Sequence, residues 1–302
     1  RRLRCRGYFD GRVTAYVSIM EGCNNFCSYC IVPFVRGREI SRPPKEILHE
    51  AKSLISEGVK EITLLGQNVN SYVYKEAKKW DFVSLLHEVS KLEGLLRLRF
   101  TTSHPKDLSD DLIQMFGRTQ TLCPHIHLPF QAGSNEILKR MRRGYTREAY
   151  MELIKKLRAV RPDIAITSDV MVGFPGETEE DFEMTLDLIQ QVQFDALFSF
   201  KYSDREGTSA ERMGNKVEDT EKSSRLSALQ DLQKQITLKK NRALEGKQLE
   251  VLIEGKSKRG GQLTGRTGSN KIVNMIGNHN QIGRLVKVTI SHGLLNSLRA
   301  EL

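Results

Sequence analysis

Six times in the first 240 residues a short apolar run gives way to a stretch of helical periodicity, and few folds accept that order. The runs fall at 13–19, 61–65, 97–100, 125–128, 165–170 and 196–201. Proline is favoured at the first helical position, so Pro43 and Pro44 open a helix that stops at Gly58. Further helices are expected at 81–92, 135–141 and 147–160, and Ser109 caps one that runs through Phe116. Thr178-x-x-Asp181 is a capping box for a helix through Gln191, in which the Thr and Asp side chains each accept from the other's backbone N–H. Strands alternating with helices build parallel β/α units, as a barrel or as an open doubly wound sheet. In both, function collects at the C-terminal ends of the strands. A cysteine loop, Gly66-Gln67-Asn68, Thr101-Thr102-Ser103-His104, Gln131 and Asp169 all stand there.

Farther on the pattern changes. Residues 219–244 read as one long helix rich in Leu, Gln and Lys. Short runs at 248–253, 262–266, 272–275 and 284–290, with glycine at nearly every turn, read as a small β-barrel. The 302 residues include 47 Lys and Arg against 37 Asp and Glu, a net charge of +10. Residues 241–302 carry +6 of that excess, which makes the tail a polyanion-binding candidate, with solvated surface charge as the plain alternative. With 39% apolar and 28% charged residues, the composition is that of a soluble globular chain. No apolar run approaches the roughly 18 residues that cross a bilayer, and RRLRCRGYFDGR is no signal peptide, so membrane and fibrous classes are set aside. The first residue is Arg1, as expected of a processed chain or a fragment.

Five cysteines are too few for a disulfide scaffold. Three of them stand in eight positions, Cys23-Asn24-Asn25-Phe26-Cys27-Ser28-Tyr29-Cys30, which points to metal chemistry in a reducing compartment. Three thiolates on one tight loop suit a [4Fe–4S] cluster, whose irons prefer soft sulfur ligands. Three ligands for four irons leave one iron open. Structural zinc competes as a reading, but it wants four closed ligands, the fourth being Cys5, Cys123 or a distant histidine.

The C-x3-C-x2-C motif after a first strand, with Tyr29 before the last cysteine, resembles that of the radical S-adenosylmethionine (SAM) enzymes. The segments EGCNNFCSYCIVPFVRGREISRP, LLGQNVNSY, RFTTSHP, HLPFQAGSNEILKRMRRGYT and SDVMVGFPGETEEDF, within residues 21–182, resemble the methylthiotransferases of that superfamily. The tail resembles their TRAM domain, an RNA-binding barrel. GQNVN and TTSHP are most similar to the branch that modifies N6-dimethylallyladenosine in tRNA. The resemblance implies an α/β fold, a partial (β/α)6 TIM-like barrel followed by a small all-β TRAM barrel. Residues 1–12 would be a linker, 13–240 the radical SAM domain with the connecting helix 219–244, and 245–302 the TRAM domain.

The same resemblance implies the chemistry. Cys23, Cys27 and Cys30 would hold the cluster, and its open iron would chelate the amino and carboxylate groups of SAM. An electron from the cluster would then release a 5′-deoxyadenosyl radical that abstracts hydrogen. Tyr29 would lie against the adenine or the cluster, or be a packed loop aromatic. Gly66, Gln67 and Asn68 would take the SAM amino group, and Ser103 and Gln131 its methionine or ribose part. Arg143, in the M-x-R pattern after Met141, would pair with the SAM carboxylate. Ser168 and Asp169 would bind ribose or substrate. Strand-end turns, solvated arginines and loop hydrogen bonds are the ordinary counterparts of these roles. His125 and His127 are read as alternating, so that only one points inward, with His127 a weak substrate contact. Cys5 and Cys123 receive no role, and Met141 and Met171 count as core.

A second [4Fe–4S] cluster, on a preceding three-cysteine domain, belongs to the family pattern, and Cys5 is the only cysteine before Cys23. The implied activity places a methylthio group on C2 of N6-dimethylallyladenosine at position 37, beside the anticodon, with one SAM giving the methyl and another the radical. The implied partners are tRNA and an electron donor such as flavodoxin or ferredoxin, with no DNA and no membrane, in the cytoplasm. Competing activities are methylthiolation of a ribosomal-protein aspartate or of threonylcarbamoyladenosine in tRNA. A non-catalytic, metal-stabilised RNA-binding protein is the rival from another class. Basic residues and turn glycines at 260, 261, 265 and 268 suit phosphate contacts. The long helix is expected to insulate the tail from the site, so that removing the tail spares SAM cleavage.

Overall fold

The computed structural model of the chain describes residues 12–76, 79–257 and 261–301. Cys5, nearly all of the expected linker, and Lys258, Arg259 and Gly260 of the tail lie outside the described residues. The six expected strands form as Thr14–Ser18, Glu61–Leu65, Arg97–Phe100, His125–His127, Ala165–Val172 and Ala196–Lys201. They pair in parallel as two three-stranded halves, each strand beside its neighbour in sequence. A parallel bridge between Leu98 and Leu122 joins the halves. The Leu98 N–H donates to Thr121 (2.8 Å) and the Cys123 N–H to Leu98 (2.9 Å) on either side of it. The strand order is therefore sequential, as in a barrel, whereas a doubly wound sheet reverses direction partway. Among the described residues the sixth strand does not pair with the first, so the barrel is partial and open along one side.

Alternation along each strand decides what lies on which face. Ala15, Val17, Ile62, Leu64, Leu98, Phe100, Ile126, Ile166 and Val170 share one core with the surrounding helices. Those helices supply Ile47 and Ala51 from Pro44–Ser56, Leu85 and Leu86 from Phe82–Ser90, and Leu112 and Phe116 from Asp110–Arg118. Arg147–Val160 adds Ile154 and Leu157, and Glu179–Val192 adds Leu188 and Ile189. Burying each such side chain contributes about 1.5–3 kcal/mol, and a one-residue slip would turn the whole row outward. The register is fixed accordingly. The helix starts follow local chemistry: Ser109 Oγ accepts from the Leu112 N–H (3.2 Å), and Thr178 and Asp181 form both halves of the capping box.

The other face is concave and carries polar side chains together with a few exposed aromatic ones. His125 and His127 both stand on it, because residues two apart in a strand share a face. Thr167 Oγ1 lies 3.2 Å from His125 Nε2 and 3.1 Å from His127 Nδ1. The expectation that only one of them points inward is corrected.

The long helix, Asp219–Arg242, packs Leu229 and Ile236 into the main core. Its buried Arg225 pairs with Glu177 at 2.8 Å and Glu179 at 3.2 Å. After it, Gln248–Lys256, Leu263–Thr267, Ile272–Met275, Leu285–Gly293 and Leu298–Glu301 close a small barrel around Val251, Ile253, Val273, Val288, Ile290 and Leu298. The fifth of these strands was not expected; four residues long, it closes the barrel by pairing with both Ile272–Met275 and Leu285–Gly293.

The small barrel sits against the concave polar face near the N-terminal ends of the parallel strands. Arg97 donates to the carbonyls of Arg266 and Glu250, and Arg99 to those of Thr267 and Gly268, both at 2.8 Å. Arg99 also pairs with Glu61 at 2.9 Å, and all three of these charged residues are buried. The tail is thus joined directly to the first unit. The long helix is therefore not the only link between the two units, and the seam lies at the end of the strands opposite the cysteine loop.

Candidate active site

The cysteine loop leaves the first strand through Gly22, whose φ is +75°. A Cβ there would stand 2.2 Å from the Arg38 carbonyl oxygen, so only glycine fits. Cys23 N–H donates to Gly37, and Cys30 N–H closes back on Cys27 at 3.0 Å. Ser28 fixes the loop: its N–H donates to Met141 (3.1 Å), its hydroxyl to Arg140 (2.8 Å), and its carbonyl accepts from Ala210 (2.8 Å). Burial pushes the Cys23 and Cys30 thiols above their usual range, and the charge of neighbouring cysteines on the loop adds to it. Cys123 precedes the fourth strand, at the far end of the parallel strands, where burial pushes it up to about 11 against the opposing charge of Arg99. It cannot complete a four-ligand site on the loop. Among the described residues, no three His, Cys, Asp or Glu side chains are gathered to grip a single metal ion. Three soft donors spread on one loop fit a polynuclear iron–sulfur cluster better than closed tetrahedral zinc.

The neighbouring strand mouths carry a second feature. Asn68 donates from Nδ2 to Asp107 (2.7 Å), which leaves its buried Oδ1 without a partner. Gln67 Oε1 and both amide atoms of Asn70 are buried and unpartnered as well. Gly66 permits the turn, since a Cβ would stand 2.5 Å from Met20 Cγ. Val69 N–H ties this turn to Thr102, a residue with φ +68° that ends the third strand. Next to it, Ser103 Oγ and His104 Nε2 are buried and unpartnered. His104 Nδ1 accepts from the Lys106 N–H (3.2 Å), so Nε2 carries the proton of the neutral ring. Burial and the charge of Arg143 push this imidazole down to about 2, holding it neutral. Gln131, φ +68°, is pinned by its backbone between Asp169 and Met171, and its Oε1 also lacks a partner. Unmet buried polar atoms cost about 1–3 kcal/mol each, and so many on adjoining turns describe a cradle for a polar ligand.

Arg143 is buried behind the cysteine loop. Its guanidinium donates to Tyr145 Oη (3.1 Å) and the Pro129 carbonyl (3.0 Å), and reaches Cys27 Sγ at 3.4 Å and Tyr29 Oη at 3.5 Å. The geometry sets its positive charge beside a cysteine and spends its donors within the protein. Tyr29 packs edge-on against Phe174, with ring centroids 6.5 Å apart. Ser168 requires a correction. It shares a face with Ile166 and Val170, is fully buried, donates to the Leu128 carbonyl (2.8 Å) and accepts from Phe130 N–H (2.9 Å). A hydroxyl so placed braces the fourth-strand loop and is shut off from the mouth. Asp169, on the opposite, concave face, lies 3.3 Å from His127 Nε2. The structure thus gathers the cysteines, Tyr29 and Arg143 at one mouth, and Gly66, Gln67, Asn68, Ser103 and Gln131 on the adjoining turns. Asn70 and His104 join them without having been singled out as binding residues. A polar side chain left unpaired is visible only in three dimensions.

The model of the radical SAM superfamily matches residues 17–189, and that of the TRAM domain matches residues 242–302. A curated tRNA-2-methylthio-N(6)-dimethylallyladenosine synthase of Syntrophus aciditrophicus is 57% identical over 97% of this chain and 64% of its own length. The protein of that name in Geotalea uraniireducens is 53% identical, over 97% and 66%. The chain therefore spans a little under two thirds of the curated relatives it matches. Among solved structures, the radical S-adenosylmethionine methyltransferase TsrM of Kitasatospora setae aligns with a TM-score of 0.54 at 19% identity, over 66% of this chain and 38% of that one. Coproporphyrinogen III oxidase (HemN) of Escherichia coli aligns with a TM-score of 0.54 at 17% identity, over 76% and 54%. These two likenesses concern the fold.

Proposed function

The chain belongs to the radical SAM superfamily, and from that premise we propose that it forms the radical SAM and TRAM portions of a tRNA methylthiotransferase. Its reaction would add a methylthio group to C2 of N6-dimethylallyladenosine at position 37, beside the anticodon. The observation that carries the reading is the meeting, at one end of the barrel, of three free cysteines on one tight loop with turns full of unpaired polar atoms. The substrate rests on the relatives, which are 53–57% identical along nearly the whole chain.

In this reading residues 13–240 are the radical SAM domain and 245–302 the TRAM domain. Cys23, Cys27 and Cys30 hold three irons of a [4Fe–4S] cluster. Such a cluster, when bound, would supply the one-electron chemistry that turns SAM into a hydrogen-abstracting radical. The turn Gly66-Gln67-Asn68, Ser103 and Gln131 hold the polar groups of SAM, Asn68 being aimed by Asp107. His104 adds a donor from Nε2. Arg143 keeps a fixed positive charge beside the Cys27 sulfur, and Tyr29 closes the loop against Phe174. Asp169, with His127, faces the substrate side. A second [4Fe–4S] cluster for sulfur insertion would be supplied by protein beyond this chain, and the electron by flavodoxin or ferredoxin. Among the described residues no helix is long and apolar enough to cross a membrane.

Anaerobic reconstitution tests the site: about four irons and four sulfides per chain, with reductive cleavage of SAM. Replacing Cys23, Cys27 and Cys30 by Ala should abolish both, and cleavage at the parent rate would remove the assignment. Mass spectrometry of tRNA from cells with and without the full-length gene tests the substrate.

A further inference from the structure

Strand six reads Ala196-Leu197-Phe198-Ser199-Phe200-Lys201, an alternation that ordinarily marks Phe as core. The structure does the opposite. Leu197 packs against the helix-side core, and Ser199 Oγ accepts from Gln230 of the long helix at 3.3 Å. Phe198 and Phe200 therefore stand on the concave face, 64% and 41% exposed. Phe198 pairs in register with Asp169 and lies edge-on to His127, centroids 6.0 Å apart. On the first strand, at the other edge of the open barrel, Tyr16 is 64% exposed.

Exposed phenyl rings beside a carboxylate–imidazole pair are the wrong surface for a protein lid, which would need a continuous apolar patch. They are the right surface for a heteroaromatic base, with a flat apolar face to stack on and polar groups at its edge. The net charge of +10 favours a nucleic-acid bearer of that base. We propose that Phe198 and Phe200 form the platform for the substrate base with its branched five-carbon group, and set the preference for the prenylated over the unprenylated nucleotide. The inference rests on the tRNA reading above and adds the residues that would read the modification.

The test uses the whole chain, reconstituted with its cluster, and two anticodon stem-loop RNAs carrying either N6-dimethylallyladenosine or adenosine at the modified position. Fluorescence anisotropy gives both Kd values, and SAM cleavage without RNA shows that the cluster site is intact. The parent should prefer the prenylated RNA by about tenfold, the order that one or a few apolar carbons confer in a fitted pocket. The F198A/F200A variant should bring the ratio near one by weakening the prenylated RNA more than the adenosine RNA, which loses only the stacking of its base, while SAM cleavage without RNA stays near the parent value. A parent that prefers the prenylated RNA, with an alanine variant that prefers it equally, overturns the platform and leaves the rings to cover some other segment of protein. A parent without any preference sinks the substrate reading itself. Should the alanine variant lose SAM cleavage, F198L/F200L decides: a reduced preference supports the platform, and an undiminished one overturns it.

Discussion

At the residue scale, the site divides into side chains whose type announces their role and side chains whose role depends on what is missing around them. Cys23, Cys27 and Cys30 are of the first kind, because soft ligands at that spacing have few other uses. His104 is of the second. One ring nitrogen is occupied by a backbone N–H and the other is buried and idle, a fact carried by no motif. His104→Ala should retain the cluster and weaken SAM binding by the worth of one hydrogen bond, about 0.5–1.5 kcal/mol or roughly two- to tenfold in Kd, measured by anaerobic calorimetry. Ser168 went the other way: its place in the sequence suggested a ligand contact, and the period of the strand turned it into the core. Burial also couples stability to pH. The imidazoles of His104 and His125 are both depressed, chiefly by burial and then by nearby arginines. Below about pH 6.5 the unfolded chain binds protons that the native state refuses, so stability must fall as pH is lowered. Thermal unfolding between pH 7.5 and 5.5 should show the decline, and replacing both histidines by Asn should flatten it.

At the scale of elements, the six parallel strands and their helices were legible because apolar periodicity, proline and capping residues agree. Thr178 and Asp181 illustrate this, since local chemistry sets the helix start whatever the rest of the chain does. The last strand, Leu298–Glu301, was not legible, because its four residues acquire meaning only from the two strands they join. The exposed rings of Phe198 and Phe200 escaped notice for a related reason, as alternation reveals two faces but not which of them is wet. The cysteine loop depends on backbone as much as on sulfur. Gly22→Ala puts a Cβ against the Arg38 carbonyl at positive φ and should leave the fold but lose most of the iron. Circular dichroism beside iron analysis checks the outcome, and full iron content in the variant would show that the loop does not need this turn.

At the scale of the whole molecule, the seam between the two units is built from buried charge. Arg99→Ala removes the partner of buried Glu61 and the donor to Thr267 and Gly268. The loss should be about 3–5 kcal/mol, visible as a lowered midpoint of thermal unfolding. A loss below 1 kcal/mol would mean that the seam is solvated in solution. On the outer surface of the small barrel, Lys247, Arg284 and Lys287 are exposed. Replacing all three by Ala should shallow the salt dependence of tRNA binding by about 0.9 in log–log slope for each phosphate contact removed. An unchanged slope would move the RNA surface elsewhere.

The same seam sets a timetable for synthesis. The acceptors of Arg99 lie 168 and 169 residues downstream, on a barrel that leaves the ribosome well after the third strand. At about 5–20 residues per second, the interval is on the order of ten to thirty seconds. Through that interval the nascent third strand carries Arg97 and Arg99 without the carbonyls that will receive them, and the open floor of the barrel faces water or a chaperone. Only once synthesis has passed residue 268 can the floor close, so a message cut short just before it yields a polypeptide that holds every cysteine of the loop yet is unfinished at the opposite end.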